Sequence, residues 1–212
     1  FPSFGVTGLE SRTDYIARDS DTCIFSHTAS KTNGKEGRPF CAETTDGGQT
    51  FEFLGWISPE PAGYSIMPST VQLSESCLVS AIRRHEGADE KQENWIDIWI
   101  SHDSGRTWAP ASERTADTGL HGGNPPSMIL LPDRTLCLTY GRRRPPYGIR
   151  ARMSKDMGVT WSDEIVLRDD GRTWDIGYPR TVLRSDGTVL TAYYFTTTAA
   201  RQQHIAGTIW SP

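Results

Sequence analysis

Three times along the chain a proline opens a short run in which apolar and polar residues alternate. A turn follows, and two further alternating runs come after it. The opening segments are MPSTVQLSES from Met67, PPSMILLPDR from Pro125 and YPRTVLRSDG from Tyr178. The runs after the turns read CLVSAI, TLCLTYG and TVLTAYYF, and the next ones read WIDIWIS, YGIRARMS and HIAGTIWS. Alternation with period two, in segments rich in β-branched and aromatic residues, predicts strands. No stretch sustains a 3.6-residue period, so very little helix is expected. Pro68, Pro126 and Pro179 lie 58 and 53 residues apart.

A second repeat keeps the same step. Ser/Thr-x-Asp-x-Gly-x-Thr-aromatic occurs as TTDGGQTF from Thr44, SHDSGRTW from Ser101 and SKDMGVTW from Ser154, with starts 57 and 53 residues apart. Asp46, Asp103 and Asp156 can each accept hydrogen bonds from nearby backbone N–H groups, while Gly48, Gly105 and Gly158 can take φ > 0. Phe51, Trp108 and Trp161 are then free to pack against a neighbouring sheet. Units of this size cannot bury both faces of a sheet alone and must stack. The predicted fold is therefore all-β, a β-propeller of four-stranded blades at approximately 1–53, 54–110, 111–163 and 164–212. Pro2 begins the first unit, with FPSFG as its inner strand. The shorter Asp169-Asp170-Gly171-Arg172-Thr173-Trp174 follows Trp161 too soon to mark another blade and reads as a loop.

Composition narrows the function. Gly and Pro number 20 and 13, which suits many short strands and turns. A formal charge of −4 argues against a general nucleic-acid binder. No segment reaches the ~18 apolar residues expected of a membrane span. The spacing of Cys23, Cys41, Cys77 and Cys137 fits no metal site. Cys77 and Cys137 read as buried thiols, and Cys23 and Cys41 share a unit in which a pairing is open. No cofactor is implied.

The three eight-residue motifs resemble the Asp boxes of the sialidase and neuraminidase β-propellers, and the resemblance spans essentially the whole chain. It implies a six-bladed ring of which these are the C-terminal four blades, and a secreted or periplasmic location. It also implies an anionic carbohydrate substrate held by arginines, with a tyrosine at the reaction centre. Arginine stays cationic and offers a planar fork that matches a carboxylate. Tyr178 stands at the place of the sialidase tyrosine, with Asp186-Gly187 at the matching offset. Arg83, fifteen residues after Pro68, matches one triad arginine. For another, Arg142 and Arg143 are the best candidates in GRRRPPYGIRARMS, with Arg144 and Arg150 competing and Tyr140 and Tyr147 flanking the run. Met67 departs from the family, because a sialidase has the glutamate partner of its tyrosine there. The first triad arginine and the acid/base aspartate would belong to blades outside this sequence.

Two segments look unlike sialidases. GLHGGNPPS offers His121 as a proton-transfer group and Asn124 as a substrate contact. DIGYPR places Asp175, a further catalytic candidate, and Arg180, a candidate contact for a substrate carboxylate, around Tyr178. Three readings follow: a sialidase-like glycoside hydrolase, a hydrolase or lyase of uronate polysaccharides using His, Tyr and Arg, and a non-catalytic carbohydrate-binding propeller.

Overall fold

A computed structural model describes residues 2–6 and 8–212, without the side chains of 11–13. Among the described residues, fifteen strands form four antiparallel sheets arranged as the blades of a β-propeller. The first sheet holds β1 (Leu9–Ala17), β2 (Cys23–Ser30), β3 (Glu36–Thr44) and β4 (Glu52–Trp56), in chain order. The second holds β5 (Tyr64–Gln72), β6 (Leu78–Glu86), β7 (Glu93–Ser101) and β8 (Ala109–Asp117). The third holds β9 (Ser127–Leu130), β10 (Leu136–Arg142), β11 (Tyr147–Ser154) and β12 (Ile165–Gly171). The fourth has β13 (Gly177–Leu183), β14 (Val189–Phe195) and β15 (His204–Trp210). The sole helical feature among the described residues is a 3-10 turn, Asp89–Lys91.

The alternating sequence explains the stacking. In β7, Ile96, Ile98 and Trp99 are all buried, so both faces of that strand are covered by neighbouring sheets. Ile24, Cys41, Leu78, Ile82 and Trp99 fill the space between the first two sheets. Val79, Ile98, Leu136, Leu138 and Tyr140 fill the next. Ile149, Ile176, Tyr193 and Phe195 join the third sheet to the fourth. In β15, by contrast, Ile205 and Ile209 are exposed, which leaves the fourth sheet with one covered face.

The innermost strands are latched to one another by a repeated bond. The Thr70 N–H donates to Asp14 Oδ2 at 2.7 Å, the Met128 N–H to Ser69 Oγ at 3.0 Å, and the Thr181 N–H to Ser127 Oγ at 3.1 Å. Each donor is on the inner strand of the following sheet, so the latches set the pitch of the stack.

The three aspartate turns join β3 to β4, β7 to β8 and β11 to β12, all at one end of the sheets. In each the carboxylate accepts from the N–H and hydroxyl of the threonine four residues on. Asp46 Oδ1 accepts from the N–H groups of Gln49 and Thr50 at 3.0 and 2.9 Å, and Oδ2 from the Thr50 hydroxyl at 2.6 Å. Asp103 accepts likewise from Arg106 and Thr107, and Asp156 from Thr160. Gly105 and Gly158 have φ of +93° and +91°. A Cβ on Gly158 would sit 2.8 Å from Ile98, so glycine serves both the turn and the close approach to the preceding sheet.

Two expectations need correction, and one open question is answered. Pro2–Gly5 is not an inner strand: Phe4 and Gly5 form a turn, and the inner strand is β1; Phe1 lies outside the described residues. Cys23 and Cys41 are free thiols, because Cys23 stands opposite Thr44 and Cys41 opposite Ser26. Asp169–Gly171 complete β12, and only the residues after them leave the sheet.

Candidate functional site

The end of the sheets opposite the aspartate turns carries the candidate site. There β6 ends, β10 runs into Arg143, loop 118–126 leads into β9, and loop 172–176 leads into β13. Tyr178 is the second residue of β13 and lies in a bulge, where the register with β14 slips between Gly177 and Arg180. Met67 occupies the matching bulge in β5, between Ile66 and Ser69. Both residues precede a proline and both have positive φ, +51° for Tyr178 and +52° for Met67. That conformation is costly for a side-chain-bearing residue and is held only by its surroundings.

Asn124 supplies the hold. It is fully buried, and its Oδ1 accepts from the N–H of Tyr178 at 3.0 Å and of Gly141 at 3.2 Å. Its Nδ2 donates to the Ile176 carbonyl at 2.9 Å. Its oxygen and amide nitrogen are therefore bonded inside the protein, to the backbone on either side of Tyr178 and at Gly141. Gly177 is required beside it, since a Cβ there would lie 2.3 Å from Asn124 Nδ2.

Two arginines converge on Tyr178. Arg83 Nε donates to the Gly122 carbonyl at 2.8 Å, and Nη1 donates to the Tyr178 hydroxyl at 3.3 Å and approaches Met67 Sδ at 3.2 Å. Arg143 Nη1 donates to the His121 carbonyl at 3.2 Å, and Nη2 to the Tyr194 hydroxyl at 2.8 Å. The Arg143 guanidinium also lies 5.7 Å from the Tyr178 ring centre and 5.5 Å from that of Trp174. Arg83 is 6% exposed and Arg143 5%, yet among the described residues neither forms an ion pair. Carbonyl dipoles, phenols and aromatic faces offset part of the cost of burying them, which is several kcal/mol per ion.

His121 (φ +54°) and Trp174 are exposed and stack with ring centres 4.2 Å apart. Tyr64 packs on His85, its hydroxyl donating to the Gly122 carbonyl at 2.8 Å. Asp175 accepts from the Tyr194 hydroxyl at 2.7 Å and from the Gln203 amide. Burial, reinforced by the bond to Asp175, raises the Tyr194 pKa. Burial likewise raises that of Tyr64. Arg180 is exposed on the inner strand, and its charge reaches Asp14, whose pKa burial raises.

The structure thus brings together Tyr178, Arg83, Arg143, His121 and Asp175, with Arg180 two residues along β13. It does not bring in the rest of the arginine run. Arg142 points toward Glu164, 3.9 Å away, and Arg150 is fully buried with Nε 3.4 Å from the same carboxylate. Tyr140 is in the inter-sheet core and donates to Glu164 at 2.8 Å, so it is no ligand contact. Tyr147 packs with Ile149 and Tyr193. The cause is strand parity: Tyr140 and Arg142 share one face of β10, and Arg143 leaves the strand to join the loop at 118–121 through Thr118 and Leu120. Sequence reasoning missed Tyr64, Tyr194 and Trp174. A register argument finds Tyr194, which stands opposite Gly177.

No protein-family model matches the chain, and neither does any curated protein. Solved structures do match. A protein of unknown function from Dyadobacter fermentans is 27% identical with a TM-score of 0.71, over 90% of this chain and 50% of that one. The GH93 alpha-L-arabinofuranosidase of Fusarium graminearum is 13% identical with a TM-score of 0.64, over 95% and 62%. The NanB sialidase from Streptococcus pneumoniae is 16% identical with a TM-score of 0.65, over 92% and 29%. The chain thus spans about half to three-fifths of the first two. Sialidases are one of several kinds of glycoside hydrolase propeller that it resembles, and at these identities the likeness is one of fold.

Proposed function

We propose that this end of the propeller binds an anionic sugar and belongs to a glycoside hydrolase of the sialidase type. The observation that carries the reading is the pair of buried guanidinium groups with no direct ion-pair partner among the described residues, Arg83 and Arg143, on either side of Tyr178. An anion of the right size completes their electrostatics, and a carboxylate accepts from both. The likeness to several carbohydrate-cleaving propellers supports the sugar. In this reading the arginines hold the carboxylate and Tyr178 is the phenol at the reaction centre. Its oxygen accepts from Arg83, which leaves its own O–H free to face a ligand. His121, exposed against Trp174, is the nearest group suited to move a proton, and Arg180 widens the cationic surface.

One observation favours a second reading. No carboxylate bonds Tyr178 among the described residues, and the sulfur of Met67 occupies the position where a sialidase has its glutamate. A tyrosine nucleophile needs such a base. Cleavage of a uronate polymer by His121, Tyr178 and the arginines does not.

The test is mass spectrometry of products after incubation with a sialylated glycan and with a uronate-rich polysaccharide, using the native chain and Tyr178→Phe. Free sialic acid, lost in Tyr178→Phe, is the expected result. Products from the uronate polymer alone move the assignment to the second reading. Saturable binding with no product from either substrate overturns the enzyme and leaves a binding module.

A further inference from the structure

We propose that Tyr194 is a positioning residue of the anion site, a neutral spacer that keeps Asp175 from neutralising Arg143. The inference rests on the anionic-sugar reading above. Tyr194 comes from the middle strand of the fourth sheet, where pairing with Gly177 fixes its place beside Tyr178, the two ring centres 5.9 Å apart. Its hydroxyl accepts from Arg143 Nη2 at 2.8 Å and donates to Asp175 Oδ1 at 2.7 Å. The direction of both bonds is forced, because a guanidinium only donates and a carboxylate only accepts. The single proton of the phenol therefore points at Asp175, and burial and that bond both favour keeping it there.

The consequence is electrostatic. Arg143 and Asp175 are opposite charges no more than two hydrogen-bond lengths apart, in a half-buried setting, and they form no ion pair. A direct pair would satisfy the guanidinium internally and remove the charge that a ligand carboxylate needs. With the phenol between them, Arg143 is oriented while its charge stays available. Gln203 holds the other oxygen of Asp175 and steadies the far end of the chain of bonds.

Removing only the hydroxyl tests this. In Tyr194→Phe, Asp175 loses its donor and closes on Arg143. Calorimetric titration with N-acetylneuraminate and D-glucuronate should then show roughly tenfold weaker binding, with D-galactose unaffected. Adding Asp175→Asn removes the charge that closes the gap, so the double variant should regain most of that loss. Asp175→Asn alone should bind the acid sugars about two- to threefold more tightly. A double variant weaker than Tyr194→Phe, or an Asp175→Asn variant that loses binding, would overturn the spacer role. The crystal structure of Tyr194→Phe gives a readout independent of sugars: a direct Asp175–Arg143 ion pair is expected, and the two side chains remaining apart contradicts the proposal. If the pair forms but the native chain binds neither acid sugar, the functional reading fails while the spacer role stands.

Discussion

The two ends of the same four sheets use charge in opposite ways. At the aspartate-turn end, one solution is repeated three times, and every carboxylate oxygen is met by local N–H and O–H donors. At the Tyr178 end a bulge before proline recurs, at Met67 and Tyr178, but the charged groups around it do not. Two guanidinium groups are buried with no direct ion-pair partner among the described residues. Local satisfaction is what stability selects. Its absence, at one end only of a repetitive scaffold, marks where a ligand completes the electrostatics.

The largest expected effect separates glycines from the two ends. Gly177→Ala meets both a φ of +111° and Asn124, so it should lower stability by about 3 kcal/mol and abolish acid-sugar binding by displacing Tyr178. Gly187, in the turn at the other end, also has positive φ, +82°, but open space around it. Gly187→Ala should cost only about 1 kcal/mol and leave binding intact. Denaturant midpoints and titrations on both variants check the contrast, and equal losses would break it.

Next in size are the arginines. Arg83→Ala or Arg143→Ala should weaken acid-sugar binding by roughly 10- to 100-fold, the worth of charge-assisted hydrogen bonds. Each variant removes an unpaired buried charge, so the thermal midpoint should move by no more than about 3 °C. A large drop in the midpoint would make these arginines structural. Asp103→Asn should do the reverse, costing about 1 kcal/mol in stability with no change in affinity.

The smallest effect is a pH dependence. Bonds to the hydroxyl and N–H of Thr50 hold the Asp46 pKa down, from its ordinary 3.8 to about 2. A carboxylate with a depressed folded pKa stabilises the fold above its ordinary pKa, and that stability is lost as pH falls through the folded value. Asp103 and Asp156 are shifted in the same direction. Stability should therefore decline as pH falls from about 4 to 2, and Asp46→Asn should flatten the decline. An unchanged slope in urea titrations would show that the turns do not carry it.

The fold was legible because its signals repeat. Three prolines, three aspartate turns and period-two runs agree on one step, and the observed strands follow them. That Arg83 and Tyr178 lie at one end of the sheets was legible for the same reason, as they sit at fixed offsets within the repeat. The arginine run was not, because consecutive residues of a strand face opposite sides and the sequence does not say where β10 ends. Tyr140 and Arg142 therefore went to Glu164, and Arg143 alone reached the site. The hydrogen bonds of Asn124 to Tyr178 and Gly141 are not legible in the sequence, since only the fold brings both N–H groups to its oxygen. Trp174 and Tyr194 meet their partners across loops and strands far apart in sequence, and no local pattern announces such contacts.

The most direct test of the anion site is calorimetric titration of the native chain with N-acetylneuraminate, D-glucuronate and D-galactose, repeated on Arg83→Ala and Arg143→Ala. The account predicts saturable binding of at least one acid sugar, weakened by added salt and by either substitution, with galactose bound no better than background. Binding of galactose as tightly as the acid sugars, or acid-sugar binding indifferent to both arginines, would contradict it.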